Sequence, residues 1–254
     1  MSQGALIADE QTVLQATKPA LVGTLSDVDV KSTTLKMSRD TKRTTTKLTK
    51  IVYRFTKRAF DLVFGLIGSL FIIPLAIFIK LAYVLTGDFG SIFFSQKRIG
   101  KNGREFNFYK FRTMVKDADQ KLVELLKQEP YKSEWRKYQK LKNDPRISKI
   151  GKLLRKTSLD EFPQFINILK GDMSLIGPRP LVKGELDLHG GDHELYEAVR
   201  PGLSSWWAAN GRSETDYETR LEQEYYYVEN QSLRLDLICI AKTAKSVLLR
   251  KGAN

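Results

Sequence analysis

The chain has 254 residues, with 42 lysines and arginines against 29 acidic residues and a formal net charge of +13. That length allows one sizeable domain plus a tail, or two small domains, and the charge calls for an acidic partner: nucleic acid, an anionic membrane surface or a phosphorylated substrate. The single cysteine, Cys239, excludes an internal disulfide and fits a reducing compartment. The first thirty residues lack the basic start and apolar run of a secretory leader.

Residues 1–50 are rich in Ser and Thr, carry mixed charge and show no sustained period, so a disordered or loosely ordered tail is expected there. The next segment changes character. From Leu62 to Ile79 there are eighteen residues without a charge, enough to enter a membrane and too apolar for a surface helix. Pro74 interrupts the run. It removes a backbone donor and frees the carbonyl of Leu70, which lipid cannot satisfy, so a kink is expected, with Ser69 or water assisting.

The flanking charges set the topology. Lys42, Arg43, Lys47, Lys50, Arg54, Lys57 and Arg58 precede the run, and Lys80, Lys97, Arg98, Lys101 and Arg104 follow it. Basic residues mark the cytoplasmic side, and here both ends carry them. The expectation is a re-entrant hairpin helix, bent at Pro74, that dips into one leaflet and returns; a straight span is the alternative.

Beyond it, "IFFSQKRIG" and "EFNFYKFRT" read as two strands joined by hairpin-turn chemistry in "GKNG". Residues 116–141 carry a charged helical pattern, and "NDPR" (143–146) marks a turn. "ISKIGKLLRK" is a short basic amphipathic segment. "LDEFPQFINILKG" follows as a helix stopped at Gly171, with Ser158 and Glu161 at the spacing of a capping box. "MSLIGPRP" is extended. Helices are expected at 217–229 and 233–250, the last amphipathic, basic and suited to a membrane surface.

Several signatures of chemistry are absent, including a Walker A loop and a Gly-rich dinucleotide fingerprint. His189 and His193 in "HGGDH" have the spacing of a helical metal pair, but the glycine pair argues for a plain loop. Asp117 and Asp119 in "DAD" fit a solvated helix face better than a metal motif. What remains is an adjacent carboxylate pair, Asp160 and Glu161, amid basic residues: Lys110, Arg112, Arg155, Lys156 and Arg179. Arginine's planar fork suits phosphate. At a helix N-terminus a carboxylate stays ionised and phosphate binds for the same reason. The two anions then need a divalent cation between them, and Mg²⁺ held by Asp160 and Glu161 is expected. An ionised aspartate can attack phosphorus and form an acyl phosphate.

These residues carry a family resemblance. "KRAFDLVFGLIGSLFIIPL", "FYKFRTM", "LRKTSLDEFPQFINILKGDMSLIGPRP", "RPGLSSWW", "YYVEN" and "SLRLDL" resemble, in order over roughly residues 53–252, the bacterial sugar transferases, polyprenyl-phosphate phosphoglycosyl transferases that begin exopolysaccharide and capsule assembly. The resemblance implies transfer of a sugar-1-phosphate from a UDP-sugar to undecaprenyl phosphate, with release of UMP, at the cytoplasmic face of the cell membrane and with Mg²⁺. It implies ping-pong chemistry with Asp160 as nucleophile and Glu161 as its partner in metal or proton handling. It also implies Lys110 and Arg155 at the phosphates and Arg179 near the nucleotide; Arg112 is grouped with them as substrate-binding. UDP-galactose and UDP-glucose are the favoured donors. "SSWWAANGRS" and Ile73, before the kink proline, depart from commoner family forms.

The expected fold is α/β, mostly helical and monotopic: a tail (1–50), a membrane-associated re-entrant helix (51–86) and a small cytoplasmic catalytic domain with amphipathic surface helices (87–254), the minimal catalytic form of the family. No nucleic acid is expected as partner, and a homo-oligomer is left open. Two rival readings are a non-catalytic membrane-surface scaffold and a metal-dependent glycosyltransferase that uses "DAD" and releases UDP.

Overall fold

The computed structural model describes residues 47–138, 141–211 and 216–248; the expected tail, up to residue 46, lies outside them. The apolar segment forms two helices, α1 (Lys47–Leu70) and α2 (Ile72–Leu85), separated at Phe71. The break falls three residues ahead of Pro74, where the missing donor stops the helical ladder; Phe71 N–H turns back to Gly68 O and Leu75 N–H to Phe71 O. Ser69 does not assist as expected: its Oγ has no hydrogen-bond partner among the described residues.

Both helices pack on the same body. From α1, Arg58 donates to Ile168 O and Leu169 O at 2.7 and 3.0 Å, Asp61 accepts from Ser174 Oγ and Leu175 N–H at 2.9 and 2.8 Å, and Lys57 pairs with Asp236 at 2.9 Å. From α2, Ile72, Ile79 and Tyr83 enter a core with Ile92, Phe111 and Leu154, each such burial contributing roughly 2 kcal/mol. The opposite faces stay open. Phe64, Ile67, Leu70, Phe71, Ile73, Ile77, Phe78 and Leu85 are exposed, an apolar surface of the kind that marks a membrane or protein contact. Residues Lys50–Leu85 are long and apolar enough to enter a membrane, with only 22% of the apolar window buried. Ile72, Ile79 and Tyr83 of α2 thus share a core with Ile92, Phe111 and Leu154 beyond it.

The rest is mostly helical, with two small sheets. β1 (Phe93–Ile99) and β2 (Glu105–Phe111) form the expected antiparallel hairpin, Phe94 opposite Lys110 and Arg98 opposite Phe106. Its turn uses left-handed Asn102 and Gly103. Helices α3 (Ala118–Leu125), α4 (Glu129–Tyr138), α5 (Lys149–Thr157) and α6 (Gln164–Lys170) follow; α6 ends as expected at Gly171, at φ +86°. β3 (Ser174–Ile176) then pairs in parallel with β4 (Gly202–Ser204), around short helices α7 (Glu185–Leu188) and α8 (His193–Tyr196). That parallel pairing was not expected; it needs side-chain-free backbone contact, and Gly177 and Gly202 supply it. Helices α9 (Trp206–Gly211), α10 (Tyr217–Glu229) and α11 (Leu233–Leu248) close the fold. Leu233, Leu237 and Ile240 on α11 remain exposed.

Candidate active site

The site is assembled where β2, α5 and the segment before α6 converge. Ser148 caps α5 by accepting from Gly151 N–H at 2.9 Å. Gly151 lets the helix lie directly on the strand end: a Cβ there would stand 1.8 Å from Thr113 O. This contact brings Arg155 to Thr113, with Nε donating to Oγ1 at 3.0 Å.

The expected capping box is not formed. Ser158 is the left-handed residue that ends α5, at φ +56°, and its side chain caps nothing. The chain reverses there into a 3₁₀ turn, Leu159–Glu161, and only after Pro163 does α6 begin. The carboxylates therefore lie on a tight turn ahead of a seven-residue helix, not in its first turn.

Asp160 is buried, and Glu161 beside it is half-buried. Lys110 Nζ meets both, at 3.8 Å from Asp160 Oδ2 and 3.1 Å from Glu161 Oε1. Burial pushes the Asp160 carboxyl above its ordinary range; Lys110 pulls it down, Glu161 raises it and Arg155 lowers it. The expectation of a carboxylate held ionised by the helix end is thus replaced by a balance between desolvation and two cations. Burial also draws Arg155 downward, against the opposing charges of Asp160 and Asp144.

Four of the sequence-derived residues thus come together: Lys110, Arg155, Asp160 and Glu161. Arg112 is engaged elsewhere. Its Nε donates to Ser91 O at 2.6 Å, one terminal nitrogen donates to Met114 O at 3.1 Å, and the other pairs with Asp88 at 2.9 Å, all over the Tyr83 ring. It ties the β2 end to the loop after α2. Arg179 is exposed and lies in a second charged cluster, with Arg98, Glu185 and Arg220. Arg98 and Lys110 sit four residue steps apart along the hairpin register, about 13 Å at the rise of a strand. A cleft of about 210 Å³ opens at the Arg179 end, lined by Ile99, Pro178, Arg179, Leu181 and Tyr196 among others.

The structure places the residues of the two other metal readings as follows. Asp117 pairs with Lys121 at 3.2 Å on a helix start. His193 bridges Asp187 and Glu197 at 2.7 and 2.8 Å, and His189 stacks on Tyr217. Among the described residues no group of three or more His, Cys, Asp or Glu side chains is arranged to hold a metal ion. The Asp160–Glu161 pair fits a hard divalent cation of the kind that takes one or two carboxylates and fills its remaining positions with water and substrate phosphate. Sequence reasoning missed Thr113 and Asn167, whose partners lie 42 and up to 60 residues away; no local pattern announces them.

Comparison with known proteins now bears on this geometry. The family described as bacterial sugar transferase matches residues 52–250. The chain belongs to that family. Among bacterial sugar transferases it is 45% identical over 201 residues to the undecaprenyl-phosphate galactose phosphotransferase of Salmonella typhimurium, covering 79% of this chain and 42% of that protein. It is 42% identical over 199 residues to the exopolysaccharide production protein ExoY of Sinorhizobium fredii, covering 78% and 88%. The UDP-galactose-lipid carrier transferase of Erwinia amylovora is 43% identical over 203 residues, covering 79% and 42%. This transferase therefore spans about two fifths of the Salmonella and Erwinia proteins and most of ExoY.

Proposed function

We propose that this bacterial sugar transferase moves a hexose-1-phosphate from a UDP-sugar to undecaprenyl phosphate, as the first step of exopolysaccharide or capsule repeat-unit assembly. The observation that carries the reading is the buried Asp160 carboxylate between Lys110 and Arg155. An oxygen of Asp160 attacks the phosphorus that bears the sugar. The bond from that phosphorus to the bridging oxygen breaks, and UMP leaves with the bridging oxygen and its electron pair. The enzyme is left as an aspartyl sugar-phosphate. A phosphate oxygen of undecaprenyl phosphate then attacks the same phosphorus, and the Asp160 carboxylate departs unchanged.

Lys110 and Arg155 favour the ionised nucleophile and neutralise phosphate charge as it approaches. Glu161, held by Lys110, is placed to share a cation with Asp160 or to manage a proton. When bound, Mg²⁺ would screen the diphosphate from these carboxylates and favour the departing phosphate. Arg179, exposed in the cluster with Arg98, Glu185 and Arg220, suits the nucleotide part of the substrate.

The membrane arrangement in this reading is re-entrant, with the catalytic body at the cytoplasmic face. Its support is that α1 and α2 both contact the same body and that basic residues flank the apolar run at both ends. UDP-galactose is the first donor to test, because the Salmonella and Erwinia relatives are named for galactose; UDP-glucose is second. A panel of UDP-sugars with undecaprenyl phosphate should release UMP with one or two donors, and Asp160→Asn should abolish both turnover and enzyme-linked sugar phosphate. Release of UDP, or covalent labelling that survives in Asp160→Asn, refutes the mechanism. Opposite-side labelling of residues 50 and 95 refutes the re-entrant topology.

A further inference from the structure

Among the described residues strand β2 has one partner strand, β1, so its other edge presents backbone groups that need hydrogen bonds once buried. Asn167 supplies them. It is fully buried on α6, and its side chain lies against that edge. Oδ1 accepts from Tyr109 N–H at 3.1 Å, and Nδ2 donates to Asn107 O at 2.7 Å. One carboxamide thus occupies the place a peptide group of a third strand would take. Its backbone carbonyl also accepts from Asp172 N–H and Met173 N–H, which fixes the end of α6.

The two elements joined in this way are the two that carry the reacting charges. Tyr109 immediately precedes Lys110, and α6 is separated from the Asp160 turn by only Phe162 and Pro163, with Pro163 fully buried and stiff. Between α6 and β2, Asn167 provides the two buried hydrogen bonds to the strand backbone, while Lys170 reaches only the Tyr109 hydroxyl at the exposed rim, at 3.2 Å. Apolar contacts of Ile168 with Phe106 and Phe108 fill the same interface but fix no register.

We infer that Asn167 is a positioning residue for the transfer reaction: its carboxamide sets the spacing between the strand bearing Lys110 and the turn bearing Asp160. It touches neither substrate nor reacting atoms. The inference rests on the reading of Asp160 as nucleophile.

The test uses full-length enzyme in detergent or nanodiscs with UDP-galactose and no lipid acceptor, following the burst of UMP. The burst amplitude counts folded, competent sites, whereas its rate constant reports how well the nucleophile is placed. Asn167→Asp retains an acceptor for Tyr109 N–H but loses the donor to Asn107 O; Asn167→Leu loses both. The burst rate constant should fall about tenfold in Asn167→Asp and about 100-fold in Asn167→Leu, the scale of an ångström's misplacement. The amplitude should hold in at least the Asn167→Asp enzyme. In a Lys110→Met background, Asn167→Asp should cost less than about threefold, because the contact it serves is already gone.

A reduced amplitude with an unchanged rate constant makes Asn167 merely structural and overturns the inference. A full tenfold cost in the Lys110→Met background overturns it too. A burst that persists in Asp160→Asn removes the nucleophile reading and this inference with it, and is recognised without any Asn167 variant.

Discussion

The ammonium of Lys110 stands 3.8 Å from Oδ2 of Asp160, on a strand fifty residues earlier in the chain. The pair is one element of a small electrostatic balance, because Glu161 takes the closer contact at 3.1 Å. Lys110 therefore serves two carboxylates that would otherwise repel each other on one turn.

Removing that cation should be felt in rate and in pH dependence. Lys110→Met should lower kcat about 100-fold, the scale seen when one preorganised donor is lost. Lys110 is a downward influence on the Asp160 carboxyl, already raised by burial. Its loss raises that group further, so the acid limb of the rate profile should move to higher pH. A limb that stays in place would show that another group governs it.

Arg155 and Arg112 should separate cleanly. Arg155→Ala should lose most transfer while the protein stays membrane-bound and folded. Arg112→Ala removes one partner of a mostly buried ion pair and leaves Ser91 O and Met114 O without their donor. A loss of about 3 kcal/mol in stability is expected, seen as a lower Tm in detergent and poorer yield, with activity falling in proportion to folded protein. Equal Tm values for the two variants would count against this division.

Ser158 occupies the left-handed region, where a side chain costs about 1 kcal/mol relative to glycine. Ser158→Gly should keep activity and raise stability slightly. Ser158→Val places a β-branched residue there and should destabilise by about 2 kcal/mol while displacing the Asp160 turn. Thermal melts together with UMP release check both; a Ser158→Gly enzyme that loses activity would point to a role for the hydroxyl.

Glu224 gives a pH signature separate from that of Asp160. It is fully buried on α10, accepts from Arg179 N–H at 3.2 Å, and its Oε2 has no partner among the described residues. Burial pushes it up to about 7, against Arg220, from an ordinary 4.5. The folded protein thus binds more protons between those values. This contribution to stability is fully present below the unfolded value and is lost as pH rises through about 7. Wild-type Tm should fall relative to Glu224→Gln between pH 5 and about 8, the difference amounting to a few kcal/mol. Parallel curves would exclude Glu224 as the titrating group.

Sequence and structure agree where information is local. The alternating aromatic strands around "GKNG", the stop at Gly171 and the helices over α10 and α11 follow from propensity and turn chemistry alone. Agreement fails where a distant partner decides. Arg112 and Lys110 look alike two residues apart in "YKFR", yet Asp88 claims one and Asp160 and Glu161 the other. Ser158 and Glu161 have capping-box spacing, but the docking of Gly151 on Thr113 fixes α5 first and leaves Ser158 as its end. Basic residues of α1, such as Lys57 and Arg58, read as flanking charge and turn out to hold Asp236 and the end of α6.

Arg58 has one more consequence. Its guanidinium holds carbonyls near the end of α6 from a helix whose other face is apolar and exposed. In the proposed membrane arrangement this contact links α1 to the helix that follows the Asp160 turn, so a solubiliser that shifts α1 should change the transfer rate. Detergent choice then becomes a kinetic variable, and a weak preparation of this enzyme reports on its solvent as much as on its sequence.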